Sequence, residues 1–142
     1  MQIPVITLHQ PYAQFIMMGW KIIETRPHNR FKSLEGKTIF IHAGAHWEKN
    51  WYQFSGKYMT DDQVRQTVNW SMFKRLKPQI VCSVFVKKNA KLNSECESKK
   101  ALIDCYEKDN RYGLFLINTK VIDPIIIKGS QGIWHYNLET LK

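Results

Sequence analysis

What most constrains this chain is that its apolar residues keep switching between the two periods that proteins use. Residues 3–8, IPVITL, alternate in the β manner and are rich in β-branched types, so they read as a first strand. In HQPYAQFIMMG, Tyr12, Phe15 and Ile16 share a helical face, Pro11 is tolerated in a first turn, and Gly19 is placed to end the helix. KIIETR, residues 21–26, returns to strand and is stopped by Pro27, which has no N–H to give a ladder. A polar loop leads to a third strand, KTIFIHAG. Residues 46–77 then take helical spacing through Trp47, Trp51, Phe54 and Tyr58. A second helix opens on a Thr60-to-Gln63 capping box, with Val64, Val68, Met72 and Leu76 predicted to line its inner face. Lys74, Arg75 and Lys77 fall in its expected last turn, where cations suit the helix dipole, before Pro78.

β structure resumes with QIVCSVFVKK. After a charged, weakly patterned stretch from Asn89 to Asn110 come RYGLFLINTKVI, PIIIKG and GIWHYN. About six short strands interrupted by two helical excursions define an α+β chain, and mixed strands in this number commonly close into a barrel. At 142 residues, with no linker-like stretch, internal repeat or low-complexity tract, residues 1–142 fit a single domain.

Hydrophobic residues at 44% and charged residues at 23% exclude a disordered chain. The longest apolar runs, YAQFIMMGW and VIDPIII, fall short of the roughly 20 residues of a membrane helix. The strand-like start shows no secretory signal, so cytoplasmic residence is expected. Cys82, Cys96 and Cys105 form neither an even set nor a CxxC spacing and are expected as reduced thiols. A formal net charge of +9 points toward polyanions, whose phosphates Lys and Arg neutralise with release of counterions, although a solvated basic surface gives the same number. Between Lys74 and Lys100 eight basic residues face only Glu95 and Glu97, and Lys87, Lys88 and Lys91 cluster at a strand end as a candidate phosphate track.

The densest chemistry lies in GWKIIETRPH, residues 19–28. Strand alternation places Glu24 and Arg26 on one face and leaves Lys21 on the other, unless Lys21 still belongs to the turn after Gly19. Gly19, Lys21, Glu24 and Arg26 occupy the spacing G-x-K-x-x-E-x-R, with His9-Gln10-Pro11 upstream and Gln131-Gly132-Ile133-Trp134 near the end. In these features the chain resembles the ASCH family, named for activating signal cointegrator homology and related to PUA-like RNA-binding domains. The resemblance runs through nearly the whole chain in order and is weakest over residues 46–77 and 89–110. It implies a PUA-like mixed β-barrel with flanking helices, and a cleft around Lys21, Glu24 and Arg26 that binds RNA, single-stranded nucleic acid or a modified nucleoside.

The residue types suit that implication. Glu24 can accept from an exocyclic amine, Arg26 can fork onto a phosphate or hold Glu24, and Lys21 can contact a phosphate or deliver a proton. Gln10 and Gln131 carry donors and acceptors for a base edge, while Tyr12 or Trp134 can stack on an unpaired base. Purely structural roles fit as well: an internal Glu24–Arg26 ion pair, a core Trp134, and a His9 that fastens a loop. His42 and His46 lack a companion carboxylate or Cys, so no metal site and no cofactor are expected. Some small ASCH proteins are amidohydrolases acting on N4-acetylcytidine, with a lysine, a threonine nucleophile and a glutamate. Lys21 matches the lysine, but Glu24 stands where that subgroup has threonine, and Thr25 belongs to the other face. Hydrolysis of a modified nucleoside or of RNA, by Lys21 and Glu24, is therefore the alternative to binding, and a protein-interaction module is the third class.

Overall fold

Every expected strand segment pairs into one sheet in the computed structural model, which describes residues 1–72, 77–92, 95–103 and 111–138. The strands are β1 (Gln2–Gln10), β2 (Ile23–Arg26), β3 (Thr38–Trp47), β4 (Gln79–Lys91), β5 (Tyr112–Ile126) and β6 (Ile133–Asn137). Among the described residues four α-helices flank them: α1 (Tyr12–Met17), α2 (Trp51–Ser55), α3 (Asp61–Ser71) and α4 (Glu95–Ala101). The spatial order is β2-β5-β4-β3-β1-β6, and only β1 and β3 run parallel. A parallel pair needs a crossover. Here α1 begins it, carrying the chain across the sheet from β1 to β2 at the far edge. Its Ala13, Phe15 and Ile16 are buried, with Ala13 and Ile16 in the main core beside Ile6, Ile39, Ile41, Val84 and Leu114.

The α+β class matches expectation, but the sheet is not a closed barrel. β2 and β6 end the strand order without pairing to each other. Each is short, at 4 and 5 residues, so neither offers the other a long ladder.

Four local expectations are corrected. First, RYGLFLINTKVI and PIIIKG merge into one strand, because Asp123 and Pro124 fall in the irregularity between the Cys82↔Val121 and Ile80↔Ile125 pairs, where the missing proline N–H interrupts no ladder. Second, β3 runs on through Trp47, so both His42 and His46 lie in it and the excursion starts later. Third, the weakly patterned stretch contains α4. Fourth, α3 keeps its capping box, with Gln63 N donating to Thr60 Oγ1 at 3.1 Å and Thr60 N to Gln63 Oε1 at 3.0 Å, but turns another face inward.

Thr67 is buried on α3, whereas Val68 and Met72 are 47% and 78% exposed. Val64 packs inward as expected, and so does Trp70, which stacks on Trp20 with centroids 5.3 Å apart, so the inner face runs through Val64, Thr67 and Trp70. Thr67 tolerates burial because its hydroxyl donates to Gln63 O at 2.8 Å. The helix ends at Ser71, so Lys77 is not in its last turn, while Lys74, Arg75, Leu76 and Cys105 lie outside the described residues, as does the Cys96 side chain. Cys82 is a free buried thiol, pushed up to about 12 by desolvation. Among the described residues, no helix is long and apolar enough to cross a membrane.

Trp70→Ala is expected to cost about 1–3 kcal/mol in urea denaturation, and Val68→Ser less than about 0.5 kcal/mol. Equal losses would restore the aliphatic stripe as the packed face.

Candidate functional site

Gly19, at φ +77, turns the chain out of α1, and the N–H groups of Trp20 and Lys21 both donate to Phe15 O. Lys21 therefore still belongs to the turn, and β2 starts only at Ile23. This settles how three charges on nominally opposite faces meet. Strand alternation aligns Glu24 with Arg26, and the turn brings Lys21 to the same carboxylate.

Lys21, 3% exposed, donates its Nζ to the Ala101 carbonyl at the end of α4 and lies 3.8 Å from Glu24 Oε1. A cation there is favoured by the helix dipole as well as by the carboxylate. Glu24 Oε2 is 3.5 Å from Arg26 Nη2, and Glu24 Oε1 accepts from Thr25 N at 3.2 Å. The Arg26 guanidinium lies over the Phe31 ring, 5.2 Å from its centre, and its buried Nε has no hydrogen-bond partner among the described residues.

This triad floors a cleft of about 1170 Å³. Its walls come from β2, the end of β1, the loop through His28, Arg30 and Phe31, the segment from Lys128 to Gly132, and Glu48 and Phe54 of the helical excursion. It thus occupies the gap where the sheet fails to close. Five cations, Lys21, Arg26, Arg30, Arg111 and Lys128, border it against Glu24 and Glu48. Tyr12 lines it too, its phenol driven above the usual tyrosine range by burial and then by Glu48 and Glu24, so it stays a neutral donor.

Of the residues singled out in the sequence, His9, Tyr12, Lys21, Glu24, Arg26 and Gln131 line this cleft. Thr25 borders it as well, because an edge strand exposes its backbone as well as a face. Gln10 does not line it: its buried amide is tied to Gln14, accepting from Gln14 N at 3.1 Å and donating to Gln14 Oε1 at 3.3 Å. Trp134 is a packed aromatic whose N–H donates to Thr7 Oγ1 at 3.0 Å, and it offers the cleft no stacking face.

Lys88 and Lys91 of β4 take opposite faces. Lys91 pairs with Tyr112, which pairs with Arg26, so Lys91 shares the Arg26 face two strands away, at roughly 10 Å. Lys88 aligns with Phe115 and Ile23 on the opposite face, its ammonium 4.4 Å from the Phe115 ring centre. None of Lys87, Lys88 and Lys91 lines the cleft itself.

Sequence reasoning missed Thr7, His42, Arg30, Phe31, Glu48, Phe54, Arg111 and Lys128 as wall residues. Thr7 and His42 lie within β1 and β3 and Phe54 within α2, where periodicity marks a face but not a cleft, while Glu48, Arg111 and Lys128 lie between elements. His9 and His46 meet edge to face with centroids 4.5 Å apart, and His42 packs 5.4 Å from Trp134. The two histidines of β3 therefore diverge, and no group of three His, Cys, Asp or Glu among the described residues could hold a metal.

No family model matches the sequence, and no curated protein matches it. Solved structures do match. An ASCH protein from Zymomonas mobilis superposes with a TM-score of 0.56 at 14% identity, over 97% of this chain and 90% of that one. Two single-substitution variants of the same bacterial protein give TM-scores of 0.59 and 0.57 at 13% and 12% identity, over 97% of this chain and 90% and 92% of theirs. At such identity the likeness shows the fold.

Glu24→Gln removes the negative charge facing a buried ammonium and is expected to cost about 1–3 kcal/mol in urea denaturation at neutral pH. His42 is lowered from 6.5 by burial, against a raising contribution from the Ile127 carbonyl. His9 is lowered by burial and then by His46. The unfolded chain therefore binds more protons just below pH 6.5, so stability present above that pH declines as pH falls through it. Urea midpoints from pH 7.5 to 5.5 should drop, and drop less in His42→Gln; identical pH slopes would remove His42 from the account.

Proposed function

With the ASCH fold as its frame, we propose that this chain binds single-stranded RNA or a nucleotide-sized ligand in the cleft floored by Lys21, Glu24 and Arg26. The observation that carries this reading is one cavity bordered, among the described residues, by five cations from three stretches of chain (residues 21–30, 111 and 128), with the aromatic side chains of Tyr12 and Phe54 on its walls. Cations offer phosphate contacts, and aromatic faces offer stacking. Size supports an oligonucleotide over a lone nucleoside, since about 1170 Å³ exceeds the roughly 300–1,000 Å³ of most small-molecule sites.

In this reading Glu24 is held for recognition. Two cations and the Thr25 amide fix its carboxylate, so it presents a lone pair without a repositioning cost. Arg30, Arg111 and Lys128 at the rim take phosphates, with Lys91 extending the track past Arg26. Hydrolysis of a modified nucleoside or of RNA is the second reading, favoured by the 3.8 Å approach of the Lys21 ammonium to Glu24 at the floor. A carboxylate and a cation together can activate water, and product formation from N4-acetylcytidine, followed by chromatography, separates the two readings.

Anisotropy of a short fluorescent single-stranded RNA should show affinity falling linearly in log salt. Arg111→Ala should weaken binding and flatten that slope by about one charge, whereas Lys88→Ala should change neither. No binding at low salt, or equal effects of the two replacements, would remove the cleft as the RNA site.

A further inference from the structure

The segment leaving β2, RPHNRF at residues 26–31, gathers more positive charge than its carboxylates balance. Buried Phe31 is its platform: the Arg26 guanidinium lies 5.2 Å from the ring centre, and the His28 ring meets it edge to face at 5.3 Å. Arg30 N donates to His28 Nδ1 at 3.2 Å, so the neutral imidazole carries its hydrogen on Nε2 and has that N–H to donate. The segment is pinned to the sheet, since Asn29 O accepts from Lys32 N at 3.0 Å and from Asn89 Nδ2 of β4 at 3.4 Å.

Arg26, His28 and Arg30 all line the cleft. Glu24 is shared between Lys21 and Arg26, and Arg30 has no ion pair among the described residues. One carboxylate against three cations leaves two positive charges. His28 is lowered from 6.5 by burial and then by Arg30 and Arg26, and no carboxylate among the described residues offsets them. Glu35, the acid that follows, accepts from Asn89 N at 3.0 Å and does not line the cleft. The wall at Thr7 and His42 is closed by Gly129, where a Cβ would lie 2.5 Å from Thr7 Oγ1 and 2.7 Å from His42 Nδ1. Ligand donors are therefore concentrated at the arginine corner.

We propose that Arg26, His28 and Arg30 clamp a terminal phosphate of the ligand. The inference rests on the nucleotide-binding reading and deepens it by naming the end chemistry that the cleft takes. A phosphomonoester carries about −1.5 to −2 charges near neutral pH and three acceptor oxygens, whereas an internal phosphodiester carries a single charge. Two uncompensated positive charges match the monoester. Two guanidinium groups and an imidazole N–H supply donors for its three oxygens. Arg111 and Lys128 remain for the phosphodiesters that follow. A 5′ end and a 3′ end both present this group, and the test separates them.

Internally labelled RNAs of one sequence are compared by anisotropy: with a 5′-phosphate, with a 3′-phosphate, with hydroxyls at both ends, and with the methyl ester of whichever phosphate binds more tightly. Wild type should bind one phosphorylated strand roughly tenfold or more tighter than the hydroxyl-ended strand, the scale of one charge-assisted hydrogen bond, and the methyl ester should forfeit most of that gain. Arg30→Ala, at an exposed position, and His28→Phe, which keeps a ring on Phe31, should each bring the ratio toward unity. Lys128→Ala should weaken all strands alike. Wild-type binding with no preference for a phosphorylated end, a methyl ester as tight as the free monoester, an undiminished ratio in folded Arg30→Ala, or a ratio lost in Lys128→Ala instead overturns this inference and leaves the binding site standing. Absence of binding to every strand overturns the nucleotide reading and this inference with it.

Discussion

An ammonium group with almost no water around it organises one end of this molecule. Lys21 joins three pieces of chain: the turn closing α1, the carboxylate of β2, and the last carbonyl of α4. The backbone follows the same route, since Ile22 N donates to Lys100 O and Leu116 N to Ile22 O. Removing a charge from water costs several kcal/mol, which only a full set of partners offsets. The edge strand β2, four residues long and paired on one side only, is thereby held where a ladder alone would hold it weakly.

Much of this arrangement was legible in the sequence because it is local. Gly19 with its positive φ, the Thr60 capping box, and the alternation that aligns Glu24 with Arg26 are all decided within a few residues. What escaped was decided by distant partners. Beyond Val64, the inward face of α3 follows Trp70 onto Trp20, some fifty positions away, and leaves Val68 and Met72 of the aliphatic stripe outside. α4 has little apolar periodicity and is anchored by what Lys21 and Ile22 donate to its end. Pro124 looked like a strand break because only the β4 register reveals the bulge that accommodates it.

The site shows the same division. Its floor lies in one ten-residue stretch, and sequence spacing found it. Its walls come from places that only the topology brings together: β1 and β2 are consecutive in the chain, yet lie near opposite ends of the strand order and face each other across the unclosed gap. A closed barrel of these strands would have filled that gap with ladder. The failure to close and the presence of a cavity are one structural fact.

Gly129 carries a consequence for how such a chain drifts over evolutionary time. Positions 7, 42 and 129 are far apart in the sequence but share a volume too small for one additional methyl group. A side chain gained at 129 would have to be matched by a smaller residue at 7 or 42, so the three are expected to vary as one unit across related genes. Positions 30 and 111 border the cleft outside that volume, so this steric coupling does not reach them.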